Sequence, residues 1–387
     1  MAKIEFDQKV IKRRSIFEKC FKACSITALL LAGAFLVFFL SDITMKGVSA
    51  FRQSHLLVDV NFVAEAHDNP ALALHEDDAR LVSRSFTRLI PMRMEEDPSL
   101  IGTTVRDWVL ASADVDQYLK DKPNRLSKRQ VAQVEQLRSE GRVDVRFNWG
   151  FFYLGDSKLP ELAGIRAAAI GSVYVMILTF IFSFPVGVMC AVYLEEFAPD
   201  NRLTQIIEVN INNLAAIPSI LFGLLGLAIF INFMGVPRSS AMVGGLTLSL
   251  MTLPVIIIST RASIRSIPPS IREAAFGLGA TPLQVVWHHV IPLALPGILT
   301  GTIIGLARAM GETAPLLIVG MMAYIPDAPG GFSSAATVLP AQIYTWASDS
   351  QRAFSERTAA GIIVLMAILL TMNGLAIWLR NRTERKW

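Results

Sequence analysis

Six long apolar stretches dominate the hydrophobic pattern of the chain, and several of them are uncharged and close to twenty residues long. About 20 consecutive apolar residues are enough to cross a bilayer as an α-helix. The pattern therefore predicts six transmembrane helices. Their predicted bounds are Ser25–Met45, Ala167–Tyr193, Leu214–Phe233, Ala241–Ser259, Leu295–Met322 and Ala359–Leu379.

The composition indicates the same class of protein. Hydrophobic residues make up 52% of the 387 residues, and the mean hydropathy is +0.46. These values exceed what the core of a soluble globular protein needs. We therefore expect an all-α integral membrane protein.

Lysine and arginine collect beside the first and last spans. Short flanking segments that are rich in these residues tend to stay in the cytoplasm. Both termini are thus predicted to be cytoplasmic, which requires an even number of spans and agrees with six. The segment from Arg261 to Pro292 then also lies inside. The basic residues are Lys3, Lys9, Lys12, Arg13, Arg14, Lys19 and Lys22 before the first span, and Arg380, Arg382, Arg385 and Lys386 in the tail.

The net charge of +4 reflects these clusters beside the membrane. It is consistent with membrane lipid as a partner and gives no reason to expect nucleic acid, because the basic residues are not interleaved with stacking aromatic residues.

The first span has an alternative interpretation. A basic start, an apolar run and the small residues Val48, Ser49 and Ala50 resemble a signal peptide with its cleavage site. Signal peptides carry apolar regions of about 7 to 15 residues, and this run is longer. We therefore expect a retained membrane anchor, with cleavage as the alternative.

The charged stretch between the first two spans predicts an inserted extracytoplasmic domain. The expected organisation is a cytoplasmic start and first helix at 1–47, an α or α+β insertion at 48–162, and a five-helix core at 163–387. Within the insertion, Ser127 and Gln130 have the spacing of a capping box, and Gly141 can end the helix that follows. The domain either docks an extracytoplasmic partner or only covers the surface.

A charged pair interrupts the fifth apolar run. Arg308 and Glu312 are four residues apart, so in a helix they share one face and can pair. A charge at bilayer depth costs from about 2.5 to more than 10 kcal/mol. The pair is therefore either an internal ion pair that holds the helix or part of a transport path for an anion. In the second case Arg308 supplies guanidinium donors, while Glu312 holds the arginine or gates its release.

Between the fourth and fifth spans, the signals predict two short helices in a cytoplasmic loop. Ser270 and Glu273 have capping-box spacing before a helix that Gly279 can close. Thr281 and Gln284 repeat that spacing before a second helix, which begins with Pro282 and is predicted to end at Pro292. A compact pair of helices on the cytoplasmic side predicts a docking element for a partner protein.

This loop resembles the EAA loop of ABC importer permeases. The string EAAFGLG runs from Glu273 to Gly279. Nine residues separate it from the string HVIP, which runs from His289 to Pro292. His289 stands where that family usually has an aliphatic residue, and Ile291 where it has leucine. The resemblance implies that the loop couples the chain to ATPase subunits. The coupling residues it implies are Glu273, Ala274, Ala275, Gly279 and Pro292.

Three further strings resemble the permease subunits of high-affinity phosphate importers of the PstA type: RAMGETAPLL from Arg308, LAAIPSILFGL from Leu214, and GIRAAAIGSVYV from Gly164. The resemblance implies a type I ABC importer permease fold in the bacterial inner membrane that imports inorganic phosphate by alternating access. Its implied partners are a second permease subunit, two ATPase subunits and a periplasmic phosphate-binding protein. Arg308 and Glu312 are the implied path residues, and Arg261 is a weaker one.

Alternatives to phosphate import stay open. Sulfate or molybdate also suits an arginine in a polar path, and a sensor or scaffold subunit in phosphate signalling would use the same loop. The chain contains no GxxxxGK[ST] phosphate loop. We therefore expect no enzyme activity and no cofactor or metal in this chain, with ATP and magnesium held by the partner ATPase.

Overall fold

The computed structural model describes residues 8–383. Three of the basic residues that were used to orient the termini, Lys3, Arg385 and Lys386, lie outside this range. In chain order, the helices and strands are α1 (Gln8–Val48), β1 (Arg52–Asn61), α2 (Glu76–Ala79), α3 (Arg84–Glu96), β2 (Thr104–Leu110), α4 (Ala113–Leu119), α5 (Lys128–Ser139), β3 (Val143–Phe147), α6 (Gly150–Tyr153), α7 (Arg166–Val192), α8 (Arg202–Ala215), α9 (Ser219–Gly226), α10 (Ala241–Arg265), α11 (Pro269–Gly277), α12 (Pro282–Val285), α13 (Ile291–Gly311), α14 (Ala314–Ile318), α15 (Leu339–Ala347) and α16 (Ala353–Thr383).

Within the described residues, five helical stretches are long and apolar enough to cross a membrane, and a bent pair brings the number to six. Three of them contain the predicted first, second and sixth spans, and the predicted fourth span is extended to Arg265. The five stretches are Arg14–Phe51, Arg166–Phe197, Ala241–Arg265, Pro282–Gly311 and Ala353–Arg382. The all-α membrane architecture is thus confirmed.

The third span is broken near its predicted start. Helix α8 and the helical stretch Ser219–Phe233 meet at an angle of 103°. Pro218 lies at the bend with extended backbone angles, φ −55° and ψ 134°. Proline has no N–H to donate, and it disfavours helical geometry in the residue before it. The chain therefore turns sharply here instead of forming one helix from Leu214.

The predicted fifth span, Leu295–Met322, is wrong at both ends. The observed helix runs from Pro282 to Gly311 through a π-helical turn at Val286–Val290. The second loop helix therefore continues into the span, and it does not end at Pro292 as predicted. The π-helical turn opens the hydrogen-bond ladder just before Pro292, which has no N–H to contribute.

Glycines set how the core helices pack. Gly245 of α10 lies against Leu178 of α7, and Gly187 lies against Ile256. From the first contact to the second, the residue numbers increase in both helices, so α7 and α10 run parallel. Helix α13 runs the opposite way on α10. Three of its glycines at four-residue spacing, Gly297, Gly301 and Gly305, lie against Ser263, Ser259 and Thr252 respectively.

The segment between α1 and α7 forms an α+β domain. Its three antiparallel strands have the order β2-β1-β3, and one face of the sheet packs on α3, α4 and α5. The predicted capping box is confirmed: Ser127 and Gln130 cap α5, and Gly141 follows it at a φ of +71°. Leu56, Val58 and Ile90 lie in the fully buried core of this domain.

Buried charges join this domain to the last membrane helix. Glu356 of α16 pairs with Lys120 at 3.1 Å and with Lys122 at 3.5 Å. Next to it, Arg357 donates hydrogen bonds to the carbonyl oxygens of Pro160 at 2.8 Å and Ala50 at 3.1 Å. The domain therefore attaches where α1 ends and α16 begins. Helix α7 starts directly after the domain, and α10 runs parallel to α7. The loop of α11 and α12 follows the C-terminal end of α10, so the domain and this loop lie at opposite ends of the bundle.

Candidate translocation and coupling sites

Arg308 lies in the last turn of α13, and Glu312 lies just beyond the end of that helix. Glu312 has an extended backbone, with φ −77° and ψ 126°. The chain then forms the separate short helix α14. A continuous helix would bring the ring of Pro315 against the carbonyl group of Gly311, and Pro315 has no N–H to donate. The prediction that the two charged residues share one helix face is therefore wrong.

Arg308 and Glu312 nevertheless remain adjacent. The Arg308 Nε atom is 3.7 Å from the Glu312 Oε1 atom. This separation is an ion-pair contact and too long for a hydrogen bond. The side chain of Arg308 is 54% exposed and that of Glu312 is 22% exposed on the surface of this single chain.

The depth of this pair follows from the packing of α13 on α10. Gly305 contacts Thr252, which lies near the middle of α10. Arg308 is three residues further along α13, which places it about 4.5 Å closer to the end of the bundle that carries the inserted domain. Ala309 and Met310 line a small cavity with Leu248. The charged pair therefore lies within the apolar depth of the bundle, in the half nearer the inserted domain.

The segment after Glu312 folds back into the bundle. Helix α14 packs on α9, where Gly223 lies against Pro315; a methyl group at Gly223 would be 2.7 Å from the Pro315 Cα atom. The hydroxyl groups nearby serve the helices: Ser249 donates to the carbonyl of Leu246 at 2.7 Å and Thr252 to that of Leu248 at 2.6 Å. These hydroxyls therefore bond to the backbone of their own helix.

At the opposite end, α11 and α12 form the predicted pair of short helices. The Thr281 and Gln284 capping box is confirmed, and Gly279 follows α11 at a φ of +86°. The other predicted box is wrong. Pro268 is the N-cap of α11, so Ser270 lies inside the helix and caps nothing. Glu273 therefore has no capping role.

The outer surface of this loop is mainly apolar and is not covered by any other part of residues 8–383. Phe276, Leu278, Leu283 and Trp287 are exposed, with Leu278 at 91%. Glu273 and Ala274 are exposed beside them. The inner side is anchored, because Ala275 is buried in a cluster with Ile264 and Val290. Pro292 lies away from this surface, within the continuous helix that follows.

Arg261 lies far from the pair at Arg308. Its Nε atom is 3.2 Å from Glu195 Oε2 and its Nη2 atom is 2.5 Å from Glu208 Oε1. It is thus held between the end of α7 and the middle of α8. Arg265 binds the other oxygen of Glu195 at 2.6 Å.

A second ion pair connects the loop to the end of α7. Arg272 of α11 contacts the carboxylate of Glu196, with Nη2 2.6 Å from Oε1. It also donates to the carbonyl oxygens of Ile267 at 3.0 Å and Ile264 at 3.2 Å. Sequence reasoning missed these acidic partners. The available signal was the pair Glu195 and Glu196 at the end of the second span, on the same side as the arginines of the loop.

These features together define a membrane permease component of an ABC importer: a bundle of spanning helices, a charged pair at bundle depth and an exposed two-helix loop at one end. A family model described as "Binding-protein-dependent transport system inner membrane component" matches residues 183–385, just over half of the chain. The chain belongs to this family, and it is a multi-pass inner-membrane protein. A second model, "Domain of unknown function (DUF3333)", matches residues 8–80 and 71–129.

Curated relatives give the same class. The "Probable ABC transporter permease protein YqgI" of Bacillus subtilis (strain 168) is 30% identical over 62% of this chain and 86% of its own length. The "Phosphate transport system permease protein PstA 1" of Mycobacterium tuberculosis (strain ATCC 25618 / H37Rv) is 30% identical over 59% of this chain and 74% of its own length. The "Phosphate transport system permease protein PstC" of Pasteurella multocida (strain Pm70) is 27% identical, over 62% and 82%.

Among solved structures, an inward-facing MetNI methionine ABC transporter is similar over 56% of this chain and 95% of its own chain, at 21% identity and a TM-score of 0.43.

Proposed function

We propose that this chain is the permease subunit of an ATP-driven importer of inorganic phosphate. It forms the translocation path with a second, related permease subunit, and it works with two ATPase subunits and a periplasmic phosphate-binding protein. Relatives named as phosphate permeases support the choice of phosphate. The charged pair at Arg308 and Glu312 supports an anion as cargo.

The exposure of Arg308 at bundle depth carries the proposal. A guanidinium group that faces lipid at this depth costs from about 2.5 to more than 10 kcal/mol. Its exposed surface therefore belongs against a polar path or a second subunit. An ion pair that only held the helix would be closed by hydrogen bonds, yet the contact with Glu312 is 3.7 Å long. The N–H groups of Arg308 are left available to an oxyanion.

Glu312 has a distinct role in this path. An anion site that binds too strongly would trap its cargo. The carboxylate near Arg308 offsets part of the positive charge and keeps phosphate binding weak enough for release. It also recaptures the guanidinium when the path is empty.

The loop of α11 and α12 couples the chain to the ATPase. Glu273 and Ala274 offer exposed contacts next to Phe276 and Leu278, and Gly279 allows the sharp turn between the helices. Ala275 ties the loop to the bundle, and Pro292 lies in the helix that carries its movement to Arg308. ATP and magnesium bind the partner subunit, and closure of the ATPase pair moves the loop and reorients the bundle.

Membrane orientation follows from the same proposal. The loop and both termini lie in the cytoplasm, and the inserted domain at 48–162 lies outside, between the first helix at 1–47 and the core at 163–387. Arg261 holds α7, α8 and α10 together at the cytoplasmic end through Glu195 and Glu208. We assign it to this positioning role, not to the path.

The test is uptake of radiolabelled phosphate in a strain that lacks its own high-affinity phosphate importer. Arg308→Gln should abolish uptake without loss of the protein from the membrane, and Arg308→Lys should retain only part of it, because lysine keeps the charge but not the planar fork. Arg352→Gln is the matched control, since Arg352 is exposed outside the path. Normal uptake by Arg308→Gln would refute the role of Arg308. Stronger competition by unlabelled sulfate or molybdate than by phosphate would refute the choice of cargo.

A further inference from the structure

Five aromatic side chains form one continuous patch at the base of the inserted domain, four of them exposed and Phe51 partly buried. We call it the aromatic patch. The rings of Phe147 and Phe152 are stacked, with centroids 6.2 Å apart. Phe147 also makes an edge-to-face contact with Trp149, with centroids 4.7 Å apart. Phe51 stacks on Phe152 at 5.7 Å, and Tyr153 lies 6.4 Å from Trp149. Trp149 is 62% exposed and Tyr153 is 64% exposed.

The patch lies at the ends of two membrane-spanning helices. Phe51 is three residues beyond the end of α1. On the other side, the amide groups of Ile165 and Arg166 at the start of α7 donate to the carbonyl oxygens of Phe151 at 2.8 Å and Leu154 at 3.1 Å. The rings therefore lie level with the points where the chain leaves and re-enters the membrane.

Nothing in the fold of the domain requires these rings to be exposed together. On strand β3, Val143, Val145 and Phe147 point to one side, and only Val143 packs on the domain core. Val145 and Phe147 extend the same apolar face past the edge of that core and remain about half exposed. The apolar surface thus continues from the domain toward the membrane helices.

Two arginines flank the aromatic patch. Arg52 pairs with Phe147 across strands β1 and β3, and Arg166 begins α7. Both are exposed, and neither guanidinium has an ion-pair or hydrogen-bond partner among residues 8–383. Tryptophan and tyrosine collect at the membrane–water interface, where the ring is apolar and the N–H or O–H remains hydrated. Arginines beside them can reach the phosphate groups of lipids.

We infer that the aromatic patch rests in the outer leaflet of the membrane, at the boundary between headgroups and acyl chains, and holds the inserted domain against the bilayer. The depth is limited by β3, which is an edge strand with one unpaired side. Unpaired backbone groups are too costly inside hydrocarbon. The rings of Trp149 and Tyr153 therefore enter the interface while the strand itself stays among the headgroups.

The test measures tryptophan emission from the full-length protein in lipid nanodiscs of phosphatidylcholine, with acyl chains that are either plain or brominated. The chain has six tryptophans, so the quantity of interest is the emission that each substitution removes. Trp149→Phe should remove emission that shallow bromine atoms quench strongly. Trp108→Phe is the matched control, because Trp108 lies on strand β2 of the same domain and should remove emission that bromine does not quench.

A second measurement uses the depth of the bromine atoms. Bromine near the carbonyl end of the acyl chain should quench the Trp149 emission more than bromine near the bilayer centre does. If Trp149→Phe removes the same amount of emission in plain and in brominated lipid, the inference is overturned. The same result in the assembled importer would assign the patch to a protein partner. Stronger quenching from the bilayer centre would overturn the interfacial depth. Phosphate import is not needed for either readout, so this result is independent of the proposed cargo.

Discussion

The ion pair between Arg272 and Glu196 links the loop of α11 and α12 to the bundle. On the proposed function, breaking this pair should uncouple ATP hydrolysis from transport. Arg272 lies in α11, and Glu196 follows α7. The carboxylate contacts are 2.6, 3.2 and 3.3 Å long, and two backbone carbonyl oxygens accept further hydrogen bonds from the same guanidinium. Movement of α11 is therefore passed directly to α7.

The cost of breaking this pair follows from its burial. Arg272 is 21% exposed and Glu196 is 10% exposed. Removal of one partner from a fully buried pair costs about 3 to 5 kcal/mol, and exposed pairs contribute about 0 to 1 kcal/mol. We take about 2 to 3 kcal/mol for this partly buried pair. That corresponds to an increase of about 30- to 150-fold in the population of detached α11.

The assay compares Arg272→Gln with the unchanged protein in proteoliposomes that contain the whole importer. Phosphate uptake should fall, by no more than the about 30- to 150-fold rise in the detached population, while ATP hydrolysis continues. A charge-reversed double variant, Arg272→Glu with Glu196→Arg, should restore part of the uptake. The rescue is incomplete because a carboxylate at position 272 cannot donate to the carbonyl oxygens of Ile264 and Ile267.

Arg265→Gln is the matched control for this experiment. Arg265 pairs with Glu195 at 2.6 Å but is 60% exposed, so we expect a loss of no more than about 1 kcal/mol. A proportional fall of uptake and ATP hydrolysis in Arg272→Gln would contradict the reasoning, because it would show that the pair supports assembly and not coupling.

Three further changes test the packing and the electrostatics of the fold. Gly171→Ala should destabilise the protein by about 1 to 3 kcal/mol, measured as a lower melting temperature in detergent, because its methyl group would collide with the carbonyl oxygen of Thr337. Glu356→Gln should cost less than the about 3 to 5 kcal/mol of a broken buried pair, since Lys120 loses one carboxylate but keeps Asp116 at 2.6 Å. His55→Gln should reduce the loss of stability in acid. Burial lowers the pKa of His55 from its usual 6.5, so its contribution is present above that pH and is lost as the pH falls through the lowered pKa.

Each of these changes has a control in the chain. Gly374→Ala should have little effect, because nothing lies within 4 Å of the added methyl group. Glu76→Gln should also be neutral, since Glu76 is exposed and its contact with Arg80 is 4.0 Å long. His67→Gln should not reduce acid sensitivity, because hydrogen bonds to Asp68 and Glu95 raise the pKa of His67. A flat pH profile in the unchanged protein, or equal effects of a variant and its control, would contradict the assigned cause.

Local signals in the sequence predicted most of the helical elements. Runs of apolar residues located the membrane spans because the bilayer imposes one length and one polarity on any helix that crosses it. The Ser127 and Thr281 capping boxes, and the glycines that follow α5 and α11, were also found, since each depends on residues within a few positions. Where two local signals competed, the prediction failed. Pro268 is the N-cap of α11, so the capping-box spacing of Ser270 has no role.

Backbone breaks in long apolar runs were harder to place. The run from Leu295 to Met322 looks continuous because hydropathy does not record the clash that Pro315 would cause in an unbroken helix. Conversely, Pro292 looked like a helix end, yet a π-helical turn before it lets the helix continue. Hydropathy shows which residues the membrane accepts, and the hydrogen-bond ladder decides where a helix stops.

The amino-acid order alone established a multi-pass membrane protein, the position of the two-helix loop and a charged pair within the fifth apolar run, because these depend on composition and short spacings. The tertiary fold decided which charges meet. Arg261 contacts Glu195 and Glu208, and Arg272 contacts Glu196. Each of these glutamates is more than fifty residues away from its arginine along the chain. The tertiary fold also joined the aromatic patch from two separate segments, Phe51 and residues 147–153. Contacts of this kind depend on how helices pack, and no local pattern encodes that packing.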